Sequence, residues 1–286
     1  GTGSDDNPGR RLIFCHSQRT NVMSADLQAL RDNLRSFERV LVAFSGGVDS
    51  AFLAWVANDT LGSDAVRCFT AVSPSLADSE LEDCSALAQE WGLNWRAIET
   101  SEMENAAYRI NDSNRCYHCK SALMDVAGPL AEPDDAVVVL GVNLDDLGDH
   151  RPGQAAAQER EARFPLVDAG FSKVDIREHS KNLGLRIWSK PAAACLASRI
   201  PYGTEVTVPL LRRLDRAEAA LKALGFQQVR VRDYGDVARL EFELDQFPLV
   251  FERRIDIVDA VVAVGYRYAT LDLEGFRSGN LNDSLR

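Results

Sequence analysis

The six residues Ser45-Gly46-Gly47-Val48-Asp49-Ser50 constrain the fold of this chain more than any other segment. They follow an apolar run at 39–44, typical of a strand buried on both faces, and precede helical spacing from about 49 to 57. Glycines in such a turn can adopt positive φ, and the amino end of a helix offers unpaired N–H groups with partial positive charge. The segment therefore predicts an anion-binding loop. It lacks the lysine of a Walker A loop.

Strand-like and helix-like segments alternate along the first two thirds of the chain. Strands are predicted near 66–72, 94–98 and 136–142, and helices near 24–37, 79–91 and 117–130. Ser24 is a candidate helix cap, and Ser172 to Asp175 reads as a capping box that begins a helix ending near 183. Repeated βα units of this kind predict an α/β fold, a mostly parallel sheet with helices on both faces.

The pattern changes after Pro201. A helix at 209–224, strands at 229–232 and 237–244, a helix at 249–264 and a strand at 268–273 predict a smaller α+β unit. We expect a tag or flexible extension at 1–23, with Met23 as a possible natural start, a nucleotide-binding domain at 24–198, and a C-terminal substrate or oligomerisation domain at 199–286.

Composition excludes several classes of protein. The 43 Asp+Glu outnumber the 32 Lys+Arg, and the net charge of −11 disfavours a nucleic-acid backbone as the main partner. No apolar run approaches the roughly 20 residues that span a bilayer. No signal peptide is evident either, so we expect a cytoplasmic protein without a membrane partner.

Six cysteines are too sparse for a secreted disulfide scaffold. Cys116 and Cys119 form a C-x-x-C, and Cys195 lies far downstream. Three thiolates suit a [4Fe–4S] cluster with one open iron, whereas zinc with a fourth ligand such as His118 is the competing interpretation. We expect Cys15, Cys68 and Cys84 to be inert.

The loop resembles the PP-loop of the ATP pyrophosphatase superfamily, whose members release pyrophosphate and transfer AMP to a substrate oxygen. Together with the cysteines, further motifs occur in order and resemble the LarE family of ATP-dependent sulfur transferases of nickel-pincer nucleotide cofactor synthesis. These motifs are Asn143-Leu-Asp-Asp146 with its continuation to Gly153, Ala194-Cys195-Leu-Ala-Ser198-Arg199, Val229-Arg230-Val-Arg232 and Gly275-Phe276-Arg277-Ser278-Gly279.

The resemblance implies a set of ATP contacts, at Ala43, Ser45, Gly46, Gly47, Asp49, Ser50, Ser73 and Gly141. It implies catalytic roles for Asp49 and Cys195, and Mg²⁺ ligands at Asp145, Asp146 and Glu241. For the two aspartates, helix capping or solvent exposure is the alternative. It also implies a substrate-phosphate site at Ser198, Arg199, Arg230, Arg232 and Arg277. Arg230 and Arg232, two apart on a strand, share one face and suit a phosphate, although alternation on an exposed face is the alternative.

In that family the substrate is a pyridinium-3,5-biscarboxylic acid mononucleotide, whose carboxylates are adenylated and converted to thiocarboxylates. Members with only the cysteine matching Cys195 sacrifice its sulfur. This chain resembles the three-cysteine branch, in which a [4Fe–4S] cluster carries the sulfide, with an external sulfur donor and a homo-oligomer, such as a hexamer, as expected partners. The first alternative is sacrificial transfer of the sulfur of Cys195. A cluster-dependent tRNA thiolase, an amide-forming synthetase with structural zinc and a non-catalytic ATP-binding regulator are the other hypotheses.

Overall fold

The computed structural model describes residues 25–148, 152–191 and 194–277. The predicted extension at 1–23, the candidate cap Ser24 and Cys15 lie outside the described residues. Across the described ranges, none of the helices combines the length and apolarity that a bilayer crossing needs.

A parallel sheet of four strands organises the larger part of the molecule, and its order is β3-β2-β1-β4. The strands are β1 (Val40–Ala43), β2 (Val66–Val72), β3 (Asn94–Glu99) and β4 (Val137–Leu140). Val40, Val42 and Val139 are fully buried because helices cover both faces of the sheet. The predicted α/β fold class is confirmed.

Helices connect these strands. They are α1 (Leu27–Phe37), α2 (Val48–Leu61), α3 (Asp78–Glu90), α4 (Ala106–Arg109), α5 (Arg115–Ala131), α6 (Pro152–Gln158), α7 (Pro165–Asp168) and α8 (Lys173–Asn182). The predicted capping box is confirmed, since the Ser172 side chain accepts from the Asp175 amide and the Asp175 carboxylate accepts from the Ser172 amide. The observed cap of α1 is Asp26.

A second, mixed sheet forms the C-terminal part. It contains β5 (Val229–Tyr234), β6 (Val237–Phe242) and β7 (Tyr268–Leu271), with β5 antiparallel and β7 parallel to β6. The helix α9 (Val208–Ala223) packs on this sheet through Leu211, Leu214 and Leu221, all fully buried. Leu196 and Ala197 belong to the same apolar core. The domain boundary near 198 stays a prediction.

The helix predicted at 249–264 is interrupted at one residue. The structure has two helices there, α10 (Phe247–Glu252) and α11 (Arg254–Ala263). Arg253, with ψ of 15°, separates the two helices, and its guanidinium contacts the Leu224 carbonyl oxygen and the Asp256 carboxylate. The apolar spacing of the segment gives no sign of this interruption.

Candidate active site

The strand order places the candidate site. β1 pairs with β2 on one side and with β4 on the other, so the connections leave β1 and β4 in opposite directions. Ligands of open α/β sheets bind at such a switch point, outside the carboxyl ends of the strands. The predicted loop 45–50 follows β1, and Asn143 follows β4, so both reach this crevice.

The loop 45–50 is held by its own serines. The Ser50 hydroxyl accepts from the Ser45 amide at 3.1 Å, contacts the Ser45 hydroxyl at 2.9 Å and donates to the Gly47 carbonyl at 3.2 Å. Gly46 has a φ of 67°, and a Cβ there would lie 2.7 Å from the Cys84 Sγ. The N-cap of α2 is Gly47, which has no side chain to accept from the amides of the first turn. These amides are therefore available to an anionic ligand.

Gly141 allows β4 to end directly beside this loop. A Cβ at Gly141 would lie 2.6 Å from the Ser50 backbone nitrogen and 2.8 Å from the Asp49 carbonyl carbon. A side chain at this position would therefore displace the amino end of α2. The close approach explains the glycine in physical terms and agrees with its predicted place at the nucleotide.

Asp49 carries the loop carboxylate and is largely buried. Burial raises its pKa, an effect that nearby Lys173 opposes and nearby Asp146 reinforces. The Lys173 Nζ lies 3.6 Å from the Asp49 Oδ2, whereas the Oδ1 is buried without a hydrogen-bond partner. A buried carboxylate oxygen with no protein donor has room for a cation or a donor from a ligand.

The two aspartates after β4 differ in their contacts. The Asp145 Oδ2 accepts from the Lys173 amide at 2.7 Å, which is capping of α8 and was the alternative to a metal role. The Asp146 Oδ2 accepts from the Asn143 amide, and Asp146 is close enough to Asp49 to influence its pKa. Magnesium binding by these aspartates stays a prediction, and Asp146 is the better placed of the two.

Lys190 is a residue beside the loop that sequence reasoning missed. Its Nζ donates to the Gly46 carbonyl at 3.1 Å, to the Glu80 carboxylate at 2.9 Å and to the Asp83 carboxylate at 2.6 Å. Burial would lower the pKa of Lys190, but the two carboxylates outweigh burial and raise it, so the amine stays charged. The sequence carries no sign of this cluster because its acidic members lie more than 100 positions away.

A cavity of about 420 Å³ opens over the loop and brings two groups of residues together. We call one side of the cavity the loop side; it consists of residues 45 and 47–50 with Gly141 and Lys173. We call the other the cysteine side; it consists of Glu102, Cys119, Lys120, Ala194 and Cys195. Of the predicted nucleotide residues, Ala43 and Ser73 also line it. The structure thus joins most of the predicted ATP residues and two of the three predicted cysteines in one cavity.

The three cysteines differ in environment. Cys116 and Cys119 lie in the first two turns of α5, with Cys116 exposed and Cys119 half-buried. Cys195 is exposed and directly precedes a short 3-10 helix, Leu196–Arg199. Burial raises the pKa of Cys119 to about 12, with neighbouring Cys195 and Glu102 adding to the effect. Cys68 and Cys84 are buried, and burial raises their pKa values to about 12 and about 11, as expected for inert thiols.

The described residues contain no group of three or more His, Cys, Asp or Glu side chains close enough to hold a metal ion as they stand. The donor set nevertheless suits an iron–sulfur cluster: three thiols, mutually close enough to raise the Cys119 pKa, beside a cavity. The [4Fe–4S] cluster stays a prediction.

Glu102 is a second residue that the sequence did not reveal. It begins the 3-10 helix Glu102–Glu104 after β3, is 3% exposed, and lines the cavity. Its Oε2 is buried without a hydrogen-bond partner, so a bound ligand can supply the missing donor. A glutamate between a strand and a short helix has no sequence signal that separates it from a surface residue.

The predicted phosphate residues converge, although not on an exposed face. Arg199, Arg230 and Arg232 are 6%, 6% and 2% exposed. Arg199 pairs in a bidentate manner with Glu218 at 2.9 and 3.0 Å, as Arg232 does with Glu241. Burial lowers the pKa of Arg230 to about 10, with Arg199 and Arg232 adding to the effect. An anion in contact with Arg230 would oppose this shift.

This arginine cluster, consisting of Arg199, Arg230 and Arg232, is linked to the cysteine side. Arg199 Nη1 donates to the Ala194 and Cys195 carbonyls at 2.6 and 3.1 Å and to the Ser198 hydroxyl at 3.1 Å. Arg232 donates to the Ser198 carbonyl at 2.6 Å. A phosphate bound there would lie close to the chain segment that carries Cys195.

The contacts of Glu241 and Arg277 differ from those expected. Glu241 is fully buried, and Arg232 and Arg239 donate to its carboxylate, so its contacts are those of an ion-pair acceptor; the predicted magnesium role stays a prediction. Arg277 is exposed and pairs with Glu274, while its neighbour Phe276 lies under Arg230, with the guanidinium carbon 4.5 Å from the ring centroid. The last two residues of the predicted 275–279 motif lie outside the described residues, as do Asp149, His150 and Arg151.

Comparisons with known proteins agree with this geometry. The NAD synthase family model matches residues 22–122, the part that contains the loop. The pyridinium-3,5-bisthiocarboxylic acid mononucleotide synthase of Lactiplantibacillus plantarum is 38% identical over 88% of this chain and 92% of its own length. The chain belongs to the LarE family. An uncharacterised protein of Synechocystis sp. is 47% identical over 91% of this chain and 99% of its own length.

Membership of the LarE family fixes the general activity. The chain is an ATP-using enzyme of the PP-loop type, and its family consists of sulfur transferases of nickel-pincer nucleotide cofactor synthesis. Glutamine-dependent NAD⁺ synthetase of Aquifex aeolicus is 34% identical over 31% of this chain and 16% of its own length. That similarity covers less than a third of this chain, whereas the match to the Lactiplantibacillus plantarum enzyme covers most of it.

Proposed function

We propose that this LarE-family enzyme adenylates a carboxylate of a pyridinium-3,5-biscarboxylic acid mononucleotide and then converts it to a thiocarboxylate. The observation that carries this proposal is the shared cavity, which has the loop 45–50 on one side and Cys119 with Cys195 on the other. An activation reaction and a sulfur transfer need such a cavity because the same carbonyl carbon must meet a nucleotide phosphate and then a sulfur.

In the first reaction a substrate carboxylate oxygen attacks the α-phosphorus of ATP, and the bond to pyrophosphate breaks. The Lys173 amine and the backbone amides in the first turn of α2 would bind the departing phosphates. These groups are already in place before the reaction, so they need not rearrange as charge develops. Mg²⁺ would be held by Asp49 and Asp146 and would neutralise charge that develops on pyrophosphate. Lys190 maintains the position of the loop through the Gly46 carbonyl.

In the second reaction sulfur attacks the carbonyl carbon of the acyl-adenylate, the C–O bond breaks, and AMP leaves with its electron pair. Cys116, Cys119 and Cys195 would hold a [4Fe–4S] cluster, and such a cluster would supply the sulfide. Ser75 lines the cavity beside the cysteines and is held by two contacts: the Tyr108 hydroxyl meets its hydroxyl, and the Leu196 amide donates to its carbonyl. The arginine cluster would bind the substrate phosphate and so orient the ring toward Cys195.

Substrate dependence of AMP release tests the proposal. The protein, prepared without oxygen, is incubated with ATP, Mg²⁺ and the biscarboxylate mononucleotide, and the nucleotides are analysed by mass spectrometry. We expect AMP and pyrophosphate to form only with the mononucleotide, and oxygen-to-sulfur exchange to appear in the product. AMP released equally with an unmodified tRNA or with ammonia, and no sulfur in the mononucleotide, would favour a tRNA thiolase or an amide-forming synthetase instead.

A further inference from the structure

Two distant segments of the chain must meet to form the cysteine side. Cys116 and Cys119 lie near the start of α5, whereas Cys195 lies just before the 3-10 helix Leu196–Arg199. Contacts between the two segments must therefore hold Cys195 near the other two cysteines. Two buried polar side chains, Asn111 and Arg115, join the segments; they are 0% and 4% exposed. Neither residue belongs to the predicted catalytic or metal-binding set.

Asn111 binds the backbone that follows Cys195. Its side-chain amide donates to the carbonyls of Pro201 at 2.8 Å and Thr204 at 2.9 Å, and lies 3.3 Å from that of Ile200. The backbone carbonyl of Asn111 in turn accepts a hydrogen bond from the Gly203 backbone amide at 3.0 Å. Asn111 has a φ of 59°, a left-handed conformation that asparagine tolerates better than most residues and that directs its side chain toward this segment.

Arg115 binds both segments at once. Its Nη1 donates to the Asn111 Oδ1 at 2.5 Å and to the Ala197 carbonyl at 2.8 Å, two residues after Cys195. Its guanidinium carbon lies 5.7 Å from the centroid of the Tyr202 ring. Because Arg115 precedes Cys116 directly, these bonds connect the first turn of α5 to the Cys195 segment.

Arg115 carries a buried positive charge, and its surroundings contain little to balance that charge. Within the described part of the chain, Arg115 forms no ion pair with Asp or Glu, and both of its hydrogen-bond acceptors are neutral. A buried cation is costly unless an anion accompanies it, and sulfur is the anion-forming group at hand.

We propose that Asn111 and Arg115 form a positioning clamp that holds the Cys195 segment against α5, and that the charge of Arg115 balances an anionic sulfur-bearing group held by the three cysteines. The mechanical part stands on the hydrogen bonds alone. The charge part rests on the proposed function, because it requires that the cysteines carry an iron–sulfur group. Arg115 therefore positions and stabilises this group without touching the reacting carbon.

Amide hydrogen exchange of the full chain tests the mechanical part without any metal. In Arg115→Met and Asn111→Ala, we expect peptides that contain Leu196, Gly203 and Val206 to exchange at least about tenfold faster than in the wild type. Peptides of β1 and β2 should be unchanged. Arg160→Met removes an exposed arginine of the same region and serves as the control, with exchange as in the wild type. Unaltered exchange in both clamp variants would overturn the clamp.

Anaerobic reconstitution with iron and sulfide tests the charge part. We expect Arg115→Met to hold less than half of the wild-type iron, with the reduction potential of the remaining group shifted to more negative values, because a removed positive charge disfavours the added electron. Arg115→Lys retains the charge and should return the potential to that of the wild type while exchange stays fast. Equal potentials in all three proteins would refute the charge part. A wild-type chain that takes up no iron contradicts the cluster and the charge part, and exchange still decides on the clamp.

Discussion

The loop side and the cysteine side of the cavity are built in different ways. The shape of the loop is set mainly within one contiguous segment, where the Ser50 hydroxyl binds Ser45 and the Gly47 carbonyl, and Lys190 adds a contact from a distant segment. The cysteine side depends on contacts between segments about 80 to 90 positions apart, through Asn111 and Arg115. Contiguous sites survive changes elsewhere in a fold, whereas a site assembled from distant segments depends on each contact that joins them.

Replacing Cys195 should have the largest effect of the changes considered, and it should affect sulfur transfer but not adenylation. In Cys195→Ser we expect thiocarboxylate formation to fall by at least about a thousandfold, because an oxygen in this position provides neither the sulfur nor a thiolate ligand. ATP–pyrophosphate exchange in the presence of the mononucleotide, which needs no sulfur, should stay within about threefold of the wild type. Parallel loss of both reactions would show that the two sides are not independent.

A methyl group added to the loop should slow both adenylation and the sulfur transfer that depends on it. Gly46→Ala places a Cβ 2.7 Å from the Cys84 Sγ at a residue with a φ of 67°, so the loop must move. We expect pyrophosphate exchange to fall about a hundredfold, since small displacements of a positioned group have effects of this order.

The chain offers a matched control for this loop change. Gly62 also has a positive φ, 82°, but nothing lies within 4 Å of its Cβ position. Gly62→Ala should share the backbone strain, of order 1 kcal/mol, and keep full activity. Equal activity losses in the two variants would attribute the effect to backbone strain rather than to the loop.

Loss of one cluster arginine should weaken binding more than turnover. In Arg230→Met we expect the KM for the mononucleotide to rise about tenfold with kcat within twofold, because a phosphate contact made equally in the ground and transition states changes KM alone. Steady-state kinetics with ATP saturating measures both constants. An unchanged KM would remove Arg230 from the substrate-phosphate site.

The smallest effect concerns stability and pH. The folded-state pKa of Asp49 is raised by burial, so its protonated form is favoured in the folded protein, and stability is lost as pH rises through that pKa. Asp49→Asn should therefore raise the urea midpoint at pH 7, and the gain should shrink toward about pH 4, the ordinary pKa of an aspartate. A gain that grows on acidification would contradict the direction of the shift.

The same contrast explains how much the sequence could predict. The loop 45–50, the parallel sheet and the capping box at Ser172 are local patterns, and the structure confirms their places. Lys190 and Glu102 could not be found, because their importance comes from contacts with distant residues or from a missing contact in a cavity. The break between α10 and α11 at Arg253 falls inside a segment whose apolar spacing is helical throughout, so the sequence pattern does not reveal it.

The arginine cluster lies between these cases. Its members could be identified from the family resemblance, and the two-residue spacing of Arg230 and Arg232 places them on one face. Their deep burial and their pairing with Glu218 and Glu241 could not be predicted, because β5 is covered on both faces by elements distant in sequence. The spacing of residues along a strand predicts which side chains share a face, but it does not predict which other elements cover that face.

Repeated turnover tests the central claim most directly. The anaerobically reconstituted enzyme is given ATP, Mg²⁺, the biscarboxylate mononucleotide and excess sulfide, and both the thiocarboxylate product and the intact mass of the protein are measured. We predict several thiocarboxylates per chain and an unchanged protein mass with Cys195 intact. At most one thiocarboxylate per chain, with Cys195 converted to dehydroalanine, would contradict sulfur delivery from a three-cysteine site and establish the sacrificial route.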